Sequence, residues 1–212
     1  MDKIKRYCIF MIGLFINSLG VSLITKANLG TSPISSIPYV LSLNFPLTLG
    51  NFTILFSLIL ILFQFVLLKK DFKLEHLLQI PVSTAFGYFI DLTMLFFTSL
   101  KLSSYGSKVV ALLIGCLVLG FGVYLEVLAD VVMLPGESFV RAVCSAFAQE
   151  FGRTKIIFDM SMSVIAMICS FIFTSSINGV REGTLIAALL VGFFAKEMGK
   201  KLSFIEIKLF EE

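Results

Sequence analysis

The chain has 212 residues, of which 58% are hydrophobic and only 15% charged; it contains 23 Phe and no Trp, and its formal net charge is +3. Too little polar side chain is present to cover a water-soluble globule, so an ordinary soluble domain is excluded. The small positive balance is accounted for by short loops, which leaves nucleic-acid binding without support.

In chain order, Tyr7 to Thr25 is the first apolar run. It contains Asn17 and is followed by further spans, so it reads as a retained span and not as a cleaved leader. An irregular segment from Asn28 to Pro46 contains Pro33 and Pro38. Phe52 to Leu68 is the second run, and a charged loop with His76, expected to be solvated, leads into Leu77 to Leu100. Val109 to Leu128 follows, then a second irregular segment from Asp130 to Gly152, then Ile156 to Ser175. Thr184 to Ala195 is shorter, and Lys196 can extend it by snorkelling. The other five runs approach or exceed the ~20 residues needed to cross a ~30 Å hydrocarbon core. The tail from Lys200 to Glu212 alternates apolar and charged residues, the pattern of a short strand or an interfacial segment.

The chain also says nearly the same thing twice at a spacing of 102 residues. Gly13 recurs as Gly115, Gly20 as Gly122, Ala27 as Ala129, Pro33 as Pro135, Ser36 as Ser138 and Gly50 as Gly152. About a dozen identities fall within about 45 positions, and Gly and Pro weigh most because backbone geometry dictates where they sit. The expected organisation is a single membrane domain, with repeat one at about 7–100, repeat two at about 108–200 and a cytoplasmic tail at 201–212. Gly13 with Gly20, and Gly115 with Gly122, are seven apart, which puts each pair on one helix face suited to close packing.

The two irregular segments occupy equivalent places in the repeats. Each starts with Pro at a helix N-terminus and runs about 15 residues to a Gly, some 22 Å, which is marginal for crossing a membrane. Both therefore read as re-entrant or broken helices, tolerated at membrane depth only inside protein or along a wet cavity. The fold class follows: an all-α polytopic bundle with six transmembrane helices plus two re-entrant helices. Three crossings per repeat make the repeats inverted; the alternative is eight spans with parallel repeats. With both termini cytoplasmic, Lys3, Lys5, Arg6, Lys69, Lys70, Lys73, Arg141, Arg153, Lys155, Lys196, Lys200, Lys201 and Lys208 lie inside. Only Lys26, Lys101, Lys108 and Arg181 lie outside, as the positive-inside rule requires.

Ionisable residues within apolar runs are the strongest functional clues, because an unpaired charge there is costly. Asp91 sits one turn after Gly87. Glu126 and Asp130 are four apart and would share one helix face, while Glu137 with Arg141 and Lys155 with Asp159 repeat that spacing with opposite signs, suited to intrahelical pairs. Glu182 precedes Gly183-Thr184 at the start of the last run, where an acid suits the helix dipole. The candidate substrate-binding set is Pro33, Ser35, Ser36, Asp91, Pro135, Glu137, Ser138, Arg141, Asp159, Glu182 and Thr184. Each also has a structural reading: the serines as caps, Lys155–Asp159 as a staple, Asp91 as a solvated helix-end residue. Cys8, Cys116, Cys144 and Cys169 show no metal-ligand spacing, so no metal, cofactor or catalytic residue is expected.

Ala27-Asn-Leu-Gly30-Thr-Ser-Pro33, Leu49-Gly50-Asn51, Gly87-Tyr-Phe-Ile-Asp91, Leu134-Pro135-Gly136-Glu137 and Gly179-Val-Arg-Glu182-Gly183-Thr184 stand in an order that resembles the YczE/YyaS/YitT group of bacterial membrane proteins. The likeness runs from about Tyr7 to Gly199. It implies a multi-pass protein of the bacterial cytoplasmic membrane, in a largely uncharacterised group with some regulatory or accessory members. The chain departs from that pattern at Ile34, where a Trp often follows the first Pro, and by having no Gly-Thr pair in the first repeat at the place where the second has Gly183-Thr184.

The functional expectation is a non-enzymatic small-molecule permease with its site between the repeats; the alternative is a membrane accessory or regulatory protein. The expected partners are the lipid bilayer and a small solute, with a homo-oligomer left open.

Overall fold

The computed structural model describes residues 2–202, so the amphipathic stretch at 203–212 lies outside the described residues. Eight α-helices carry the described chain: α1 (Asp2–Lys26), α2 (Ser36–Asn44), α3 (Leu49–Leu68), α4 (Gln79–Phe96), α5 (Tyr105–Ala129), α6 (Pro135–Phe147), α7 (Phe151–Thr174) and α8 (Glu182–Lys201). A turn of 3₁₀ helix at Pro33–Ser35 leads into α2. No strand occurs among the described residues, and the fold is all-α as expected.

Local chemistry sets the breaks. Thr48 caps α3 by accepting the Asn51 N–H at 3.1 Å, while Pro135 opens α6 where its missing donor costs nothing. The two short helices stop earlier than the Pro-to-Gly spacing implies. Phe45 turns to extended backbone before Pro46, whose ring disfavours a helical predecessor, and Ala148 takes a left-handed conformation at φ 50°. Gly50 and Gly152 fall instead in the first turns of α3 and α7.

Four helices are long and apolar enough to cross a membrane: Lys3–Lys26, Leu49–Leu68, Tyr105–Ala129 and Phe151–Thr174. The sequence reading counted six spans. The difference lies in α4, which carries Gln79, Ser83, Thr84, Asp91 and Thr93, and in α8, which carries Glu182, Lys196, Glu197, Lys200 and Lys201. Apolar side chains form the outer surface of the long helices, including Leu62, Phe63, Phe65 and Val66 on α3 and Ile156, Ile157, Phe171 and Ile172 on α7. In water such a belt would drive aggregation; in a bilayer it is the solvated face. The interior holds the small polar residues instead, among them Ser18, Ser22, Thr25, Thr93 and Gln64, which suits helices held by close packing and hydrogen bonds where lipid supplies no hydrophobic drive.

The α1–α5 contact is the most extensive in the bundle. Gly13 lies against Leu125, Asn17 against Gly122, Gly20 against Leu119 and Ile24 against Gly115, so the two helices run antiparallel. The contacts repeat at the 102-residue spacing: Gly20 meets Leu119 as Gly122 meets Asn17, and Gly13 meets the Gly122 carbonyl as Gly115 meets that of Gly20. A Cβ at any of these glycines would collide with the facing helix. α4 runs parallel to α1, with Phe15 edge-on to Phe89 at 5.4 Å and Thr93 donating to the Ser18 carbonyl at 3.2 Å. α8 runs parallel to α5, with Gly120 beside Val191 and Ala195 and the Tyr124 hydroxyl on the Leu202 carbonyl at 3.0 Å. One end of the bundle therefore gathers Lys3, Lys69, Arg153 and Lys200, and the other Lys26, Lys101, Lys108 and Arg181.

α2 packs on α7 and α3, and α6 packs on α3 and α7. Ser36 donates to the carbonyl of Met162, midway along α7, at 3.3 Å, whereas Phe45, just past α2, meets Phe173 in the last turn of α7 at 5.2 Å. The segment leading into α2 stays near the start of α8, where the Gly183 N–H donates to the Leu29 carbonyl at 2.8 Å. α2 therefore begins at the middle of the bundle and ends at the Lys26 end.

Candidate solute site between the two short helices

The N-terminal turns of α2 and α6 touch. The side chain of Ile34, in the 3₁₀ turn before α2, lies over the face of Gly136, where an added Cβ would displace its Cδ1. Around the junction, Ser32 donates to Ser35 at 2.9 Å and Ser36 donates to the Pro33 carbonyl at 2.5 Å. Pro33 and Pro135 are both buried. Packing at the contact itself is apolar, built from Ile34, Leu60, Val140, Phe158 and Met162.

An ion network lies beside it. Lys155 donates to Asp159 Oδ1 at 2.9 Å and sits 3.5 Å from Glu137 Oε1. The side chains of Glu137, Lys155 and Asp159 are 32%, 26% and 17% exposed, so all three are partly withdrawn from the surface. The intrahelical Glu137–Arg141 pair suggested by spacing does not form: Arg141 is exposed, and Glu137 turns instead to a cation on the next helix. The i,i+4 pair of Lys155 and Asp159 does form, so one ammonium serves two carboxylates. Glu126 is within electrostatic range of Glu137 and accepts a hydrogen bond from Asn17 Nδ2 at 2.8 Å. Asp130 does not share its face, because it ends α5 in a left-handed conformation at φ 47° and is exposed.

The remaining candidates sit elsewhere. Asp91 binds the start of α3, accepting from the Thr48 hydroxyl at 2.6 Å and from the Gly50 N–H at 2.8 Å; it crosslinks α3 and α4 as a cap. Glu182 is exposed and paired with Arg181 at 3.1 Å. Thr184 is buried, and its hydroxyl accepts the Thr31 N–H at 3.2 Å, holding the strand of chain that descends toward Pro33. Gly30, at φ 118°, makes room for that hydroxyl.

Ser138 joins a group the candidate set omitted. Gln64 and Gln79 pair reciprocally, each Nε2 donating to the other's Oε1 at 3.1 Å. The second N–H of Gln64 goes to the Pro135 carbonyl at 3.2 Å and that of Gln79 to Ser138 Oγ at 2.9 Å; Ser138 in turn donates to Gln64 Oε1 at 2.8 Å. Both glutamines are almost fully buried, at 0% and 3%. An amide inside or beside an apolar run was the signal that could have revealed them, since a polar group there needs a partner.

At the Lys26 end a cleft of about 650 Å³ opens between the end of α2 and the α7–α8 connection, lined by Asn28, Tyr39, Asn44, Asn178 and Arg181 among others. Its lining mixes amides, a phenol, a hydroxyl and a guanidinium with the apolar side chains of Leu43, Ile177 and Val180.

Two proteins of Bacillus subtilis (strain 168) are similar to this chain. The "Uncharacterized protein YyaS" is 28% identical over 189 residues, covering 88% of this chain and 89% of that protein. The "Uncharacterized membrane protein YczE" is 28% identical over 145 residues, covering 67% of this chain and 64% of that protein. No solved structure matches the chain. The apolar outer belt and the four candidate spans agree with the likeness to the membrane protein YczE in placing the protein in a membrane. The model of the family of unknown function DUF6198 matches residues 4–200, and the chain belongs to that family.

Proposed function

We propose that this membrane protein is a non-enzymatic permease for a small polar solute, built from two inverted halves, about 7–100 and 108–200, with α2 and α6 as re-entrant helices. The observation that carries the reading is the Glu137–Lys155–Asp159 network, one ammonium between two partly withdrawn carboxylates, beside the apolar junction of α2 and α6. Irregular backbone and paired charge at that depth are costly, and they are retained where they are buried in protein or line a solute path. The excess of carboxylates over ammonium in the network suits a solute bearing an amino group. The Lys/Arg excess at the Lys3 end supports a cytoplasmic location for that end in the bacterial inner membrane. Rocking of one half against the other would supply alternating access.

The test is uptake by the purified protein in proteoliposomes, using a panel of labelled amines and amino acids. Glu137→Gln should abolish uptake of the transported member while the protein remains folded in the membrane. Undiminished uptake would make Glu137 structural and remove the network from the path. A stable protein partner that co-purifies in detergent, with no solute transported by either form, would favour the accessory reading.

A further inference from the structure

Glu126 is an acid within a candidate span, Tyr105–Ala129, that the candidate set does not use. It lies in α5 at the crossing with α1, where a Cβ on Gly13 would come within 3.1 Å of its backbone nitrogen, and it is partly buried. Its side chain accepts from Asn17 Nδ2 at 2.8 Å, and no described cation pairs with it. The other described acids withdrawn from the surface are better supplied. Asp91 takes the Thr48 hydroxyl and the Gly50 N–H, Glu137 and Asp159 share Lys155, and Glu197 holds Lys200.

The charged groups around Glu126 come from each neighbouring helix. On α1, Lys3 and Lys5 are exposed and Arg6 donates to the Ala129 carbonyl at 3.1 Å, at the end of α5. On α5, Asp130 is exposed, and the Tyr124 hydroxyl donates to the Leu202 carbonyl. On α8, Lys200 is bonded to Glu197 at 2.8 Å, while Lys196 and Lys201 are exposed. On α6, Glu137 is within electrostatic range, and beyond it stand Lys155 and Asp159 of α7. Glu126 together with that network brings three carboxylates to one ammonium. An ammonium group entering beside Glu137 relieves this excess, and so does a proton on Glu126. Each makes the other less favourable, and the effect is reciprocal.

We infer that Glu126 carries a proton that is exchanged for the amine-bearing solute, which makes the protein a proton-coupled antiporter. The inference rests on the permease reading and names its coupling ion. On the side where the solute enters, its ammonium group takes its place beside Glu137, the O–H bond of Glu126 breaks, and the proton passes to water on that side. On the other side the solute leaves and Glu126 takes a proton from the water there, so one positive charge crosses in each direction. Glu126 acts on the solute through charge, without touching it, while Asn17 holds the carboxylate at the α1–α5 crossing. Carboxylates retained within spans serve pumps and transporters as proton carriers in this way.

The test imposes a proton gradient on the proteoliposomes of the uptake assay, with the labelled amines and amino acids as probes and protein-free vesicles as the blank. An acidic interior should speed uptake of the transported member by up to about tenfold for each pH unit of gradient, since a proton leaves for each solute that enters. Glu126→Gln keeps an acceptor for Asn17 and should erase that dependence. Glu126→Met, of similar length, removes the titrating group in the same way and decides the matter if the first variant does not accumulate. A parent protein indifferent to the gradient, or a folded variant that responds as the parent does, would overturn the inference and leave the permease reading standing. Transport of no panel member by the parent would refute the permease reading, and the proton site is then judged without solute, by infrared difference spectra between acidic and alkaline buffer. A carboxylic-acid C=O band present in the parent and missing from Glu126→Gln would keep the site; identical spectra would overturn it.

Discussion

Alanine at Gly122 measures how tightly α1 and α5 are joined. A Cβ there would lie 2.5 Å from the Asn17 nitrogen and 2.7 Å from its Cα. Both are backbone atoms, so no side-chain rotation relieves the clash, and α1 and α5 must separate by roughly an ångström to restore a contact of about 3.5 Å. Separation also stretches the 2.8 Å bond from Asn17 to Glu126, one turn further along α5. Overpacking of this kind costs about 1–3 kcal/mol, against a gain of about 1 kcal/mol from replacing glycine in a helix. The net expectation is a loss of up to about 2 kcal/mol. Gly192→Ala in α8 is the control, because nothing lies within 4 Å of its added carbon; it should keep the helix gain of about 1 kcal/mol. At about 2–4 °C per kcal/mol for a chain of this size, the two variants should unfold roughly 2–12 °C apart in detergent, with Gly192→Ala above the parent. If Gly122→Ala melts at or above the parent temperature, the close α1–α5 crossing is wrong.

Two further outcomes are expected. Asp91→Asn keeps one acceptor but loses the charge and the second oxygen, so it should lower stability by about 1 kcal/mol, read as a reduced melting temperature, with uptake of the solute retained. Lys155→Met removes the cation shared by Glu137 and Asp159 and should cost about 2 kcal/mol or more in unfolding experiments, with part of the loss recovered in the Lys155→Met/Asp159→Asn double variant. No recovery in the double variant would show that Lys155 stabilises through its stem and its position 5.8 Å from the Phe158 ring centre, not through charge.

Much of the local architecture was legible from residue order. Pro33 and Pro135 marked where the short helices begin, because a proline ring suits a first turn and spoils an interior. The spacing of Gly13, Gly20, Gly115 and Gly122 marked the faces that pack, because only a missing side chain lets helix backbones touch. Less legible were the ends of α2 and α6, where Phe45 before Pro46 and the left-handed Ala148 stop the helix ahead of Gly50 and Gly152. At the candidate site, charge spacing found the Lys155–Asp159 pair, which lies within one helix, and missed Glu137–Lys155, which does not. Thr184 and Asp91 were chosen as ligand groups and serve in the structure as partners for the Thr31 N–H and the start of α3.

The amino-acid sequence by itself determined the solvent, the helical class, the duplication and the helix faces available for packing. Those properties are written in composition and in periodicities of a few residues. Tertiary structure alone decided which face meets which: that Glu137 takes Lys155 and not Arg141, that Gln64 and Gln79 close around Ser138, and that Ala166, in the place corresponding to Gln64, packs against Val40 and Val180. A buried polar group must find a partner, but nothing in its own segment says which of several distant donors will be brought within 3 Å of it.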